Sequence, residues 1–444
     1  MKPGNFISIF SFFLLIELIA NLNGKFLSKF KKDNYLQKNI TNDIRKLDEY
    51  DNYITVYFKE DFTYPTGFAN IFRNGINFIR NTQNDEKVYS GEVLTINKDI
   101  AFEIHFNETV EDLAYFFSNE DDENMVYLTS VDFSNFDSSS VVYMDELFLG
   151  CSSLKSIDFS NFNTSSVTSM SSMFKDCSSI ISMDLTNFDT SNVIYMDLMF
   201  YNCTSLKVVN LKNINISKVI TISSMFSYCG SLEYIDLSNL DASSIASLSD
   251  MFYRCGSLTS VDLTNFRPSL VTDLSNLFYG CSSLESIDLK SFDTSLVTRM
   301  HSMFAGCNEL EYIDLSHFNT SLVEEISGMF LDCFALKSIN LFNFNIPKAY
   351  LVNFIFYNCI SLESIYMPNS DVSTVTEIYE MFYGCSSLKF INLTNFKAPS
   401  LQYMYNIFYG CNSLELIDLS NFGASSLYNL SYLFNELNSL KFVN

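Results

Sequence analysis

The eleven cysteines offer this chain its widest choice of chemistry, and all eleven follow one spacing. Each stands 26 residues after the last, at Cys151, Cys177, Cys203, Cys229, Cys255, Cys281, Cys307, Cys333, Cys359, Cys385 and Cys411. Zinc sites and redox motifs need close pairs such as C-x-x-C, and the sequence has none. We therefore predict free thiols that act as small hydrophobic groups in a structural core. Disulfides between neighbouring units are the alternative, with at least one thiol left unpaired.

Conventional catalysis finds little support in the remaining residues. The only histidines are His105, His301 and His317, and none stands in a nucleophile or metal motif. No glycine-rich phosphate loop, G-x-S-x-G or H-E-x-x-H is present. The sequence thus predicts a protein that is not an enzyme and that has no cofactor and no metal site.

The cysteine spacing belongs to a longer repeat. A phenylalanine precedes each cysteine by three positions, and a leucine or isoleucine follows it by three. A twelfth unit keeps Phe434 and Leu440 but has Leu437 in place of cysteine. A constant period of this length indicates a solenoid whose units stack on their neighbours.

Within a unit, the apolar spacing predicts one short helix. Apolar residues lie three and four positions apart from Val193 to Cys203, as on one helical face. Thr190 and Ser191 are N-cap candidates, and glycine, asparagine or aspartate usually precedes the cysteine, as at a left-handed helix end.

After the cysteine, the apolar spacing changes to two. In one unit Leu284, Ile287 and Leu289 should point inward. Each unit then contributes one short strand, and stacked units pair these strands in parallel. The predicted fold is an α/β solenoid, a curved horseshoe with one short parallel strand and one short helix in each 26-residue coil.

The outward strand positions carry two sets of candidate functional residues. An acidic column could attract a cation or a basic partner, although flanking hydroxyl groups and water could equally relieve its repulsion; it comprises Asp158, Asp184, Asp236, Asp262, Asp288, Asp314 and Asp418. Aromatic residues interrupt the polar face and are candidates for partner binding: Tyr234, Tyr312, Phe342, Tyr366 and Phe390. Repeat drift is the alternative explanation for the aromatic residues.

These residues carry a family resemblance. The run from Leu284 to Leu289 resembles the leucine-rich-repeat core L-x-x-L-x-L. More narrowly, Met303 to Cys307, followed by Leu310 and Ile313 to Leu315, is similar to the BspA-type surface proteins of bacteria and anaerobic protists. The resemblance covers roughly residues 107 to 444. It implies a secreted or cell-surface protein that binds other proteins or host and matrix components and has no catalytic centre.

One feature departs from the leucine-rich-repeat pattern. Phenylalanine takes the usual asparagine or cysteine ladder position in several units, which predicts a turn held by aromatic stacking; these are Phe188, Phe266, Phe292, Phe318 and Phe396.

The chain divides into three regions by sequence. Residues 1–24 read as a secretory signal peptide, because Lys2 precedes an apolar run from Phe6 to Ala20. An uncleaved membrane anchor is the alternative, since Glu17 interrupts the run. Residues 25–106 lack the repeat and are predicted to form a small β-rich cap over the first coil. Residues 107–444 form a solenoid of about twelve units.

The C-terminus leaves three alternatives open. The last coil is tolerated exposed, or it dimerises end to end, or the sequence is a fragment of a longer surface protein. In the last case a missing C-terminal segment could attach the protein to a membrane.

Charge and glycan signals limit the partners. The net charge of −24 argues against nucleic acid and anionic lipid surfaces. Candidate N-glycosylation sites in predicted turns or flanks are Asn39, Asn163 and Asn319. We expect an extracellular or cell-surface adhesion module that binds a protein or matrix component through its strand face. The alternative function is a structural coat that self-associates without a specific ligand.

Overall fold

A computed structural model describes residues 52–64, 76–89, 92–118, 123–341, 344–367, 370–428, 433–434 and 437–444. The described residues all belong to one compact unit, Asn52–Asn444. The predicted signal peptide and Asn39 lie outside the described residues.

The N-terminal part of this unit is a β-rich cap, as the sequence predicts. Its strands are β1 (Tyr53–Phe58), β2 (Phe62–Tyr64), β3 (Ile76–Asn81), β4 (Lys87–Val88), β5 (Leu94–Ile96) and β6 (Ala101–Phe106). Alternate residues of β1, such as Ile54 and Val56, are buried against Phe102 and Ile104 of β6. This alternation is what a half-buried antiparallel sheet requires.

The cap sheet continues into the solenoid. A 3₁₀ turn at Glu123–Tyr127 leads into β7 (Leu128–Asp132), which pairs antiparallel with β1 and parallel with β8 (Ser156–Asp158). The strand order is β4-β3-β6-β1-β7-β8. The edge of the first coil is therefore paired with the cap and is not exposed.

Most of the following coils add one short strand, in parallel to its partner wherever two strands pair. The strands are β9 (Ser182–Asp184), β10 (Val208–Asn210), β11 (Tyr234–Asp236), β12 (Ser260–Asp262), β13 (Tyr312–Asp314), β14 (Ser338–Asn340), β15 (Ser364–Tyr366), β17 (Phe390–Asn392), β19 (Leu416–Asp418) and β20 (Phe442–Val443). Two further strands, β16 (Glu377–Tyr379) and β18 (Tyr403–Tyr405), pair elsewhere on the coil. The leucine-rich-repeat solenoid that the sequence predicts is confirmed.

The predicted helix in each coil is wrong. Residues 170–177, at the helix position, form successive turns, and no α-helix occurs among the described residues. Two residues of this segment, Ser172 and Asp176, have φ angles of 55° and 64°. Left-handed residues four positions apart prevent a continuous right-handed run. Asp176 is the left-handed residue that the sequence predicts before the cysteine. Ser172, four residues earlier, is a second left-handed residue that the sequence analysis did not predict.

The backbone hydrogen bonds of this segment alternate between two destinations. The N–H groups of Ser172, Phe174 and Asp176 donate to carbonyl groups of the next coil, at 2.8 to 2.9 Å. The intervening N–H groups of Lys175 and Cys177 donate within the coil, to the residue three positions earlier. The segment thus satisfies its backbone by pairing with its neighbour, where a helix would do so internally.

One column of phenyl rings runs through the core beneath these turns. The rings stack nearly parallel, with centroids 5.3 to 5.8 Å apart and planes 2 to 12° apart. The column, which we call the Phe column, comprises Phe117, Phe148, Phe174, Phe200, Phe226, Phe252, Phe278, Phe304, Phe330, Phe356, Phe382 and Phe408. Because every ring contacts the equivalent ring of the next coil, the column fixes the 26-residue register.

The turn phenylalanines are buried as well, but they stack less regularly. Phe396 stacks on Phe422 with the ring planes 3° apart, whereas Phe266 and Phe292 are tilted by 41°. In two intermediate coils Ile214 and Leu240 take the same position. Aromatic stacking therefore supports some of these turns, and aliphatic packing supports others.

Backbone pairing between coils is less continuous along the strands than along the segments that enter the turns. Its strands pair mostly in twos, with breaks between β8 and β9 and between β10 and β11, and residues 286–288 form no strand. A row of single bridges, by contrast, runs unbroken on the turn side from Asp112 to Leu351. The coils are thus held together chiefly through their turn segments.

Removing one ring from the Phe column should destabilise the solenoid strongly. Phe304 is fully buried between Phe278 and Phe330. Phe304→Ala should cost about 3–5 kcal/mol, because it leaves a cavity and ends two stacking contacts. The midpoint of urea unfolding, followed by circular dichroism, should fall accordingly. The exposed control Glu309→Ala should stay within about 0.5 kcal/mol of wild type. Equal midpoints for the two variants would contradict the role given to the column.

Candidate functional site: the outward strand face

The acidic column lies at the ends of the strands, where each carboxylate holds a turn. Asp158 Oδ1 accepts the backbone N–H of Ser160 at 2.8 Å, and Asp184 Oδ1 accepts that of Thr186 at 2.9 Å. The same bond recurs, at 2.9 to 3.0 Å, for Asp236, Asp262, Asp288, Asp314 and Asp418. This is an Asx turn, which ends the strand and redirects the chain.

These hydrogen bonds also change the acidity of the column. The pKa of the Asp158, Asp184 and Asp314 carboxyl groups is lowered, chiefly by the backbone N–H two residues on. For Asp262 and Asp418, the hydroxyl of the same residue is the first cause of the lowered pKa. One oxygen of each carboxylate thus holds a turn, which gives the column a structural task.

The aromatic candidates have no comparable internal task. Tyr234, Tyr312 and Tyr366 are 50%, 52% and 53% exposed, and Phe390 is half-buried. Phe342 lies outside the described residues. The side chains thus project from a backbone that the coil stacking holds rigid.

The register separates these candidates into different positions of the face. Phe390 pairs with Ser364 and Leu416, whereas Tyr366 pairs with Asn392, two residues further along the strand. Leu416 in turn pairs with the exposed Phe442, so Phe390, Leu416 and Phe442 form a row on successive strands. Phe442 was not predicted from the sequence, although its 26-residue spacing from Leu416 was a usable signal. Partner binding by the aromatic candidates stays a prediction.

A cleft opens on the strand face where β8 and β9 do not pair. It has a volume of about 340 Å³, and its lining includes Lys155, Asp158, Asp184 and Asn187. All four side chains are exposed at its rim. The cleft is a polar groove between two coils and contains one positive and two negative side chains. Their arrangement indicates no particular reaction.

The cysteines are free and buried, as predicted. Each thiol donates a hydrogen bond to the carbonyl oxygen of the Phe-column residue in the preceding coil, at 2.9 to 3.2 Å. Burial raises the pKa of the thiols in the column from Cys151 to Cys385, to about 12 for Cys333. A protonated, buried thiol is a poor nucleophile and a poor metal ligand. The cysteines therefore support the core and do not form a reactive site.

The fold brings together one triad-like group that the sequence did not reveal. The Ser275 hydroxyl lies 2.9 Å from His301 Nδ1, and Glu325 Oε2 lies 3.6 Å from the same nitrogen. A Ser-His-acid relay needs the two partners on different ring nitrogens. Ser275 is moreover buried. This group is a surface polar cluster without the geometry for nucleophilic catalysis.

Other potential sites are also missing from the described part of the chain. No group of three or more described histidine, cysteine, aspartate or glutamate residues could hold a metal ion. Among the same residues, no helix has the length and apolarity to cross a membrane.

Two glycosylation candidates can be placed. Asn163 and Asn319 are exposed, and their amide oxygens accept the backbone N–H groups of Ser165 and Ser321. These oxygens hold the coil turns, while modification would take place at the amide nitrogens. Glycosylation at the two residues stays a prediction.

Comparison with known proteins finds one family. The model of the family described as "Mycoplasma protein of unknown function, DUF285" matches residues 111–235, 179–262, 204–287, 246–367 and 351–442. No curated protein matches the chain. Among solved structures, a crystal structure of a TLR13–ssRNA13 complex matches at 19% identity and a TM-score of 0.24. That match covers 69% of this chain and 48% of the other, so the chain spans about half the length of that protein.

Acid should destabilise the fold through the Asx turns. Since the folded-state pKa of Asp184, Asp262 and Asp314 is lowered, their contribution to stability is complete above the unfolded pKa. This contribution to stability is lost as the pH falls from about 4, the pKa in the unfolded chain, through the lower pKa of the folded protein. The urea midpoint of wild type should therefore drop between about pH 6 and pH 3. Replacing the three aspartates by asparagine should reduce this drop.

Asparagine is a suitable replacement because Asn392 Oδ1 already makes the same turn, with Thr394 N–H at 2.9 Å. A control with Glu285→Gln and Glu309→Gln, whose carboxylates stand outside the strand-end turns, should keep the pH dependence of wild type. An identical acid response in the aspartate variant would refute the structural role of the column.

Thiol labelling should report the buried cysteine column. In the native protein at about pH 8, iodoacetamide should modify few or none of the thiols, because burial keeps them protonated and out of reach. In concentrated urea all eleven should react. Intact mass measures both states. A native mass that shows disulfide formation, or rapid labelling without denaturant, would be incompatible with the free buried thiols described above.

Proposed function

Since this chain belongs to the DUF285 family of repeat proteins, we propose that it is a non-enzymatic interaction module of the BspA type. It binds a protein or matrix component through the outward side chains of its strand face. The family description assigns no function, so the proposal depends on the residues themselves.

The exposed strand-face tyrosines carry this proposal. Tyr234, Tyr312 and Tyr366 each expose about half of a large aromatic side chain on a regular, stacked backbone. Tyrosine is enriched where proteins meet, because its ring gives a large contact area at low conformational entropy cost and its hydroxyl forms hydrogen bonds. Asp236 and Asp314, beside Tyr234 and Tyr312, hold turns, so the carboxylates are engaged in the coil while the tyrosine rings stay exposed.

Charge narrows the class of partner. The chain has 51 acidic and 27 basic residues. Such a surface repels nucleic acid and anionic lipid and favours a basic or neutral protein. The contribution of this charge to association should weaken with salt.

Several observations support a non-enzymatic function. The Ser275, His301 and Glu325 group lacks relay geometry, and the thiols are buried in the core. The cleft beside β8 combines Lys155 with two turn-forming aspartates. None of these supplies an activated nucleophile or a general base within reach of a bound substrate.

The extracellular location rests on the N-terminal sequence. Lys2 followed by the apolar run from Phe6 to Ala20 is typical of a secretory signal peptide. We propose a secreted or cell-surface glycoprotein, attached to a membrane only if that segment stays uncleaved or a further C-terminal segment exists. We propose that Asn163 and Asn319 carry N-linked glycans.

Side-by-side or end-to-end packing into a surface coat is the alternative function. The row of Phe390, Leu416 and exposed Phe442 offers an apolar surface for a second copy. A coat predicts self-association and no saturable foreign ligand, whereas a recognition module predicts the reverse.

Replacing the three strand-face tyrosines should abolish partner capture. A Tyr234→Ser, Tyr312→Ser, Tyr366→Ser variant should lose saturable binding to its partner in a pull-down from extracellular and matrix proteins. The loss should be about ten-fold or more in affinity, as for interface hot spots. The matched control is Tyr143→Ser with Tyr195→Ser, two exposed tyrosines of the turn side.

Equal capture by the triple variant and its control would reject the strand-face site. Concentration-dependent self-association in sedimentation, unaffected by the triple change and without any saturable partner, would favour the coat.

A further inference from the structure

The charge of the strand face changes along the solenoid. From the coil of Asp158 to that of Asp314, the strand-end position holds aspartate in six of seven coils. In the last five coils, which begin at Lys337, Asp418 is the one aspartate at that position, and asparagine or tyrosine takes the other four places. Two copies of this chain, with 51 acidic and 27 basic residues each, repel most where carboxylates face each other. The last five coils are therefore the part of this face that a second copy approaches with the least repulsion.

Charged residues of alternating sign stand directly before the strands of this part. We call them the charge row, and they are Glu311, Lys337, Glu363, Lys389, Glu415 and Lys441. Neighbours in the row form ion pairs within the chain, at 2.7 Å for Lys337 with Glu311, 3.2 Å for Lys389 with Glu363 and 2.8 Å for Lys441 with Glu415. The row thus has no net charge, so another surface can cover it without enclosing an uncompensated charge.

An apolar row lies beside the charge row. It consists of Phe390, Leu416 and Phe442, which pair with one another across β17, β19 and β20. Phe442 is 66% exposed, and the other two side chains are half-buried. Strands β15, β17, β19 and β20 pair without a break, whereas β9 to β14 pair only in twos. Unbroken pairing spaces both rows evenly, at about 4.8 Å per coil, so a second copy presents its own rows at the same intervals.

A two-fold axis parallel to the strands makes the charge row complementary to itself. Such an axis reverses the order of the coils and keeps the order of residues along each strand. When the axis passes between the coils of Lys389 and Glu415, Lys389 of one protomer faces Glu415 of its partner. Glu363 then faces Lys441 in the same way. Each of these contacts occurs twice and joins opposite charges.

The same axis also brings the apolar rows together. Phe390 of one protomer faces Leu416 of the other, and Phe442 lies over Ser364 in β15. An axis through the coil of Lys389 would instead set two lysines against each other. The alternating signs therefore select an axis between coils and fix the register of the two copies.

We propose that two copies of this chain associate through the charge row and the apolar row, about the two-fold axis between the coils of Lys389 and Glu415. The interface is isologous, so it closes at two copies and does not continue into a coat. It goes beyond the proposed function, because it uses other residues than the strand-face tyrosines. The contact is only about 20 Å long, so we expect a reversible dimer with a Kd of about 1–100 µM.

Charge exchange between two variants tests this dimer. In Lys389→Glu two carboxylates meet at both symmetric contacts, and in Glu415→Lys two ammonium groups meet there. Sedimentation equilibrium of the full chain should show that each variant dimerises about ten-fold or more weakly than wild type. An equimolar mixture of the two should form a heterodimer of about wild-type affinity, because each altered side chain then faces its opposite charge.

Matched controls separate the facing contacts from net charge. Lys207→Glu changes the net charge as Lys389→Glu does and also breaks an ion pair within the chain, with Glu233 at 3.7 Å, but it lies outside the interface. This variant should dimerise like wild type. Glu415→Lys reduces the net negative charge, so general repulsion predicts a stronger dimer for it and the proposed contact predicts a weaker one.

The apolar row has a variant of its own. Phe390→Ser with Phe442→Ser should weaken the dimer about ten-fold or more. Tyr234→Ser with Tyr312→Ser, outside the interface, should leave the dimer intact while it weakens partner capture. Failure of the dimer and failure of the strand-face site are thus distinguishable.

The proposal is overturned if the two charge reversals dimerise like wild type, or if their mixture forms no heterodimer. It is also overturned if the wild-type chain stays monomeric up to about 200 µM or grows beyond a dimer, as a coat would. Should the serine variant not fold, as judged by circular dichroism, the charge exchange decides. Its two positions, Lys389 and Glu415, are 60% and 51% exposed, so their replacement leaves the core untouched.

Discussion

The hydrogen bonding of the turn segment between neighbouring coils is the constraint on which the rest of the structure depends. Alternate N–H groups, such as those of Ser172, Phe174 and Asp176, donate to the next coil, and the others close turns within their own coil. Backbone groups that pair in this way leave no freedom in the coil length, because one added residue would misplace every donor that follows. The Phe column and the thiol column lie in the core beneath these turn segments. Their 26-residue period follows from the hydrogen bonding between coils, which sets the length of each coil.

Most of the polar side chains that could carry out chemistry form hydrogen bonds within the solenoid. The aspartates at the strand ends hold Asx turns, and the thiols donate to the carbonyl groups of the Phe column. The aspartates and cysteines, which could be reactive groups as judged from the sequence, thus form hydrogen bonds that hold the coil together. Among the large hydrophobic side chains that stay exposed, tyrosine is the most frequent type. A stacked backbone displays them at regular intervals, an arrangement suited to binding an extended surface.

The sequence predicted the core and the strands well and the turn segment poorly. Val193, Met196, Met199, Phe200 and Cys203 are all buried, as their spacing required. That spacing is nevertheless shared by a helix and by successive tight turns, since both direct residues three and four apart inward. A usable signal was the repetition of residues tolerant of left-handed geometry, as at Asn276 and Gly280. The Asx turns were also readable, from the Asp-x-Ser or Asp-x-Thr sequence that recurs at the ends of seven strands.

Far-UV circular dichroism of the purified protein tests the inter-coil pairing most directly. If the turn segments donate to neighbouring coils, the spectrum should lack the double minimum of α-helix and show the weak signal of strands and turns. A strong helical double minimum would instead mean that each segment closes its hydrogen bonds internally, as the apolar spacing alone suggests. In that case the hydrogen bonds between the turn segments of neighbouring coils would not exist as described.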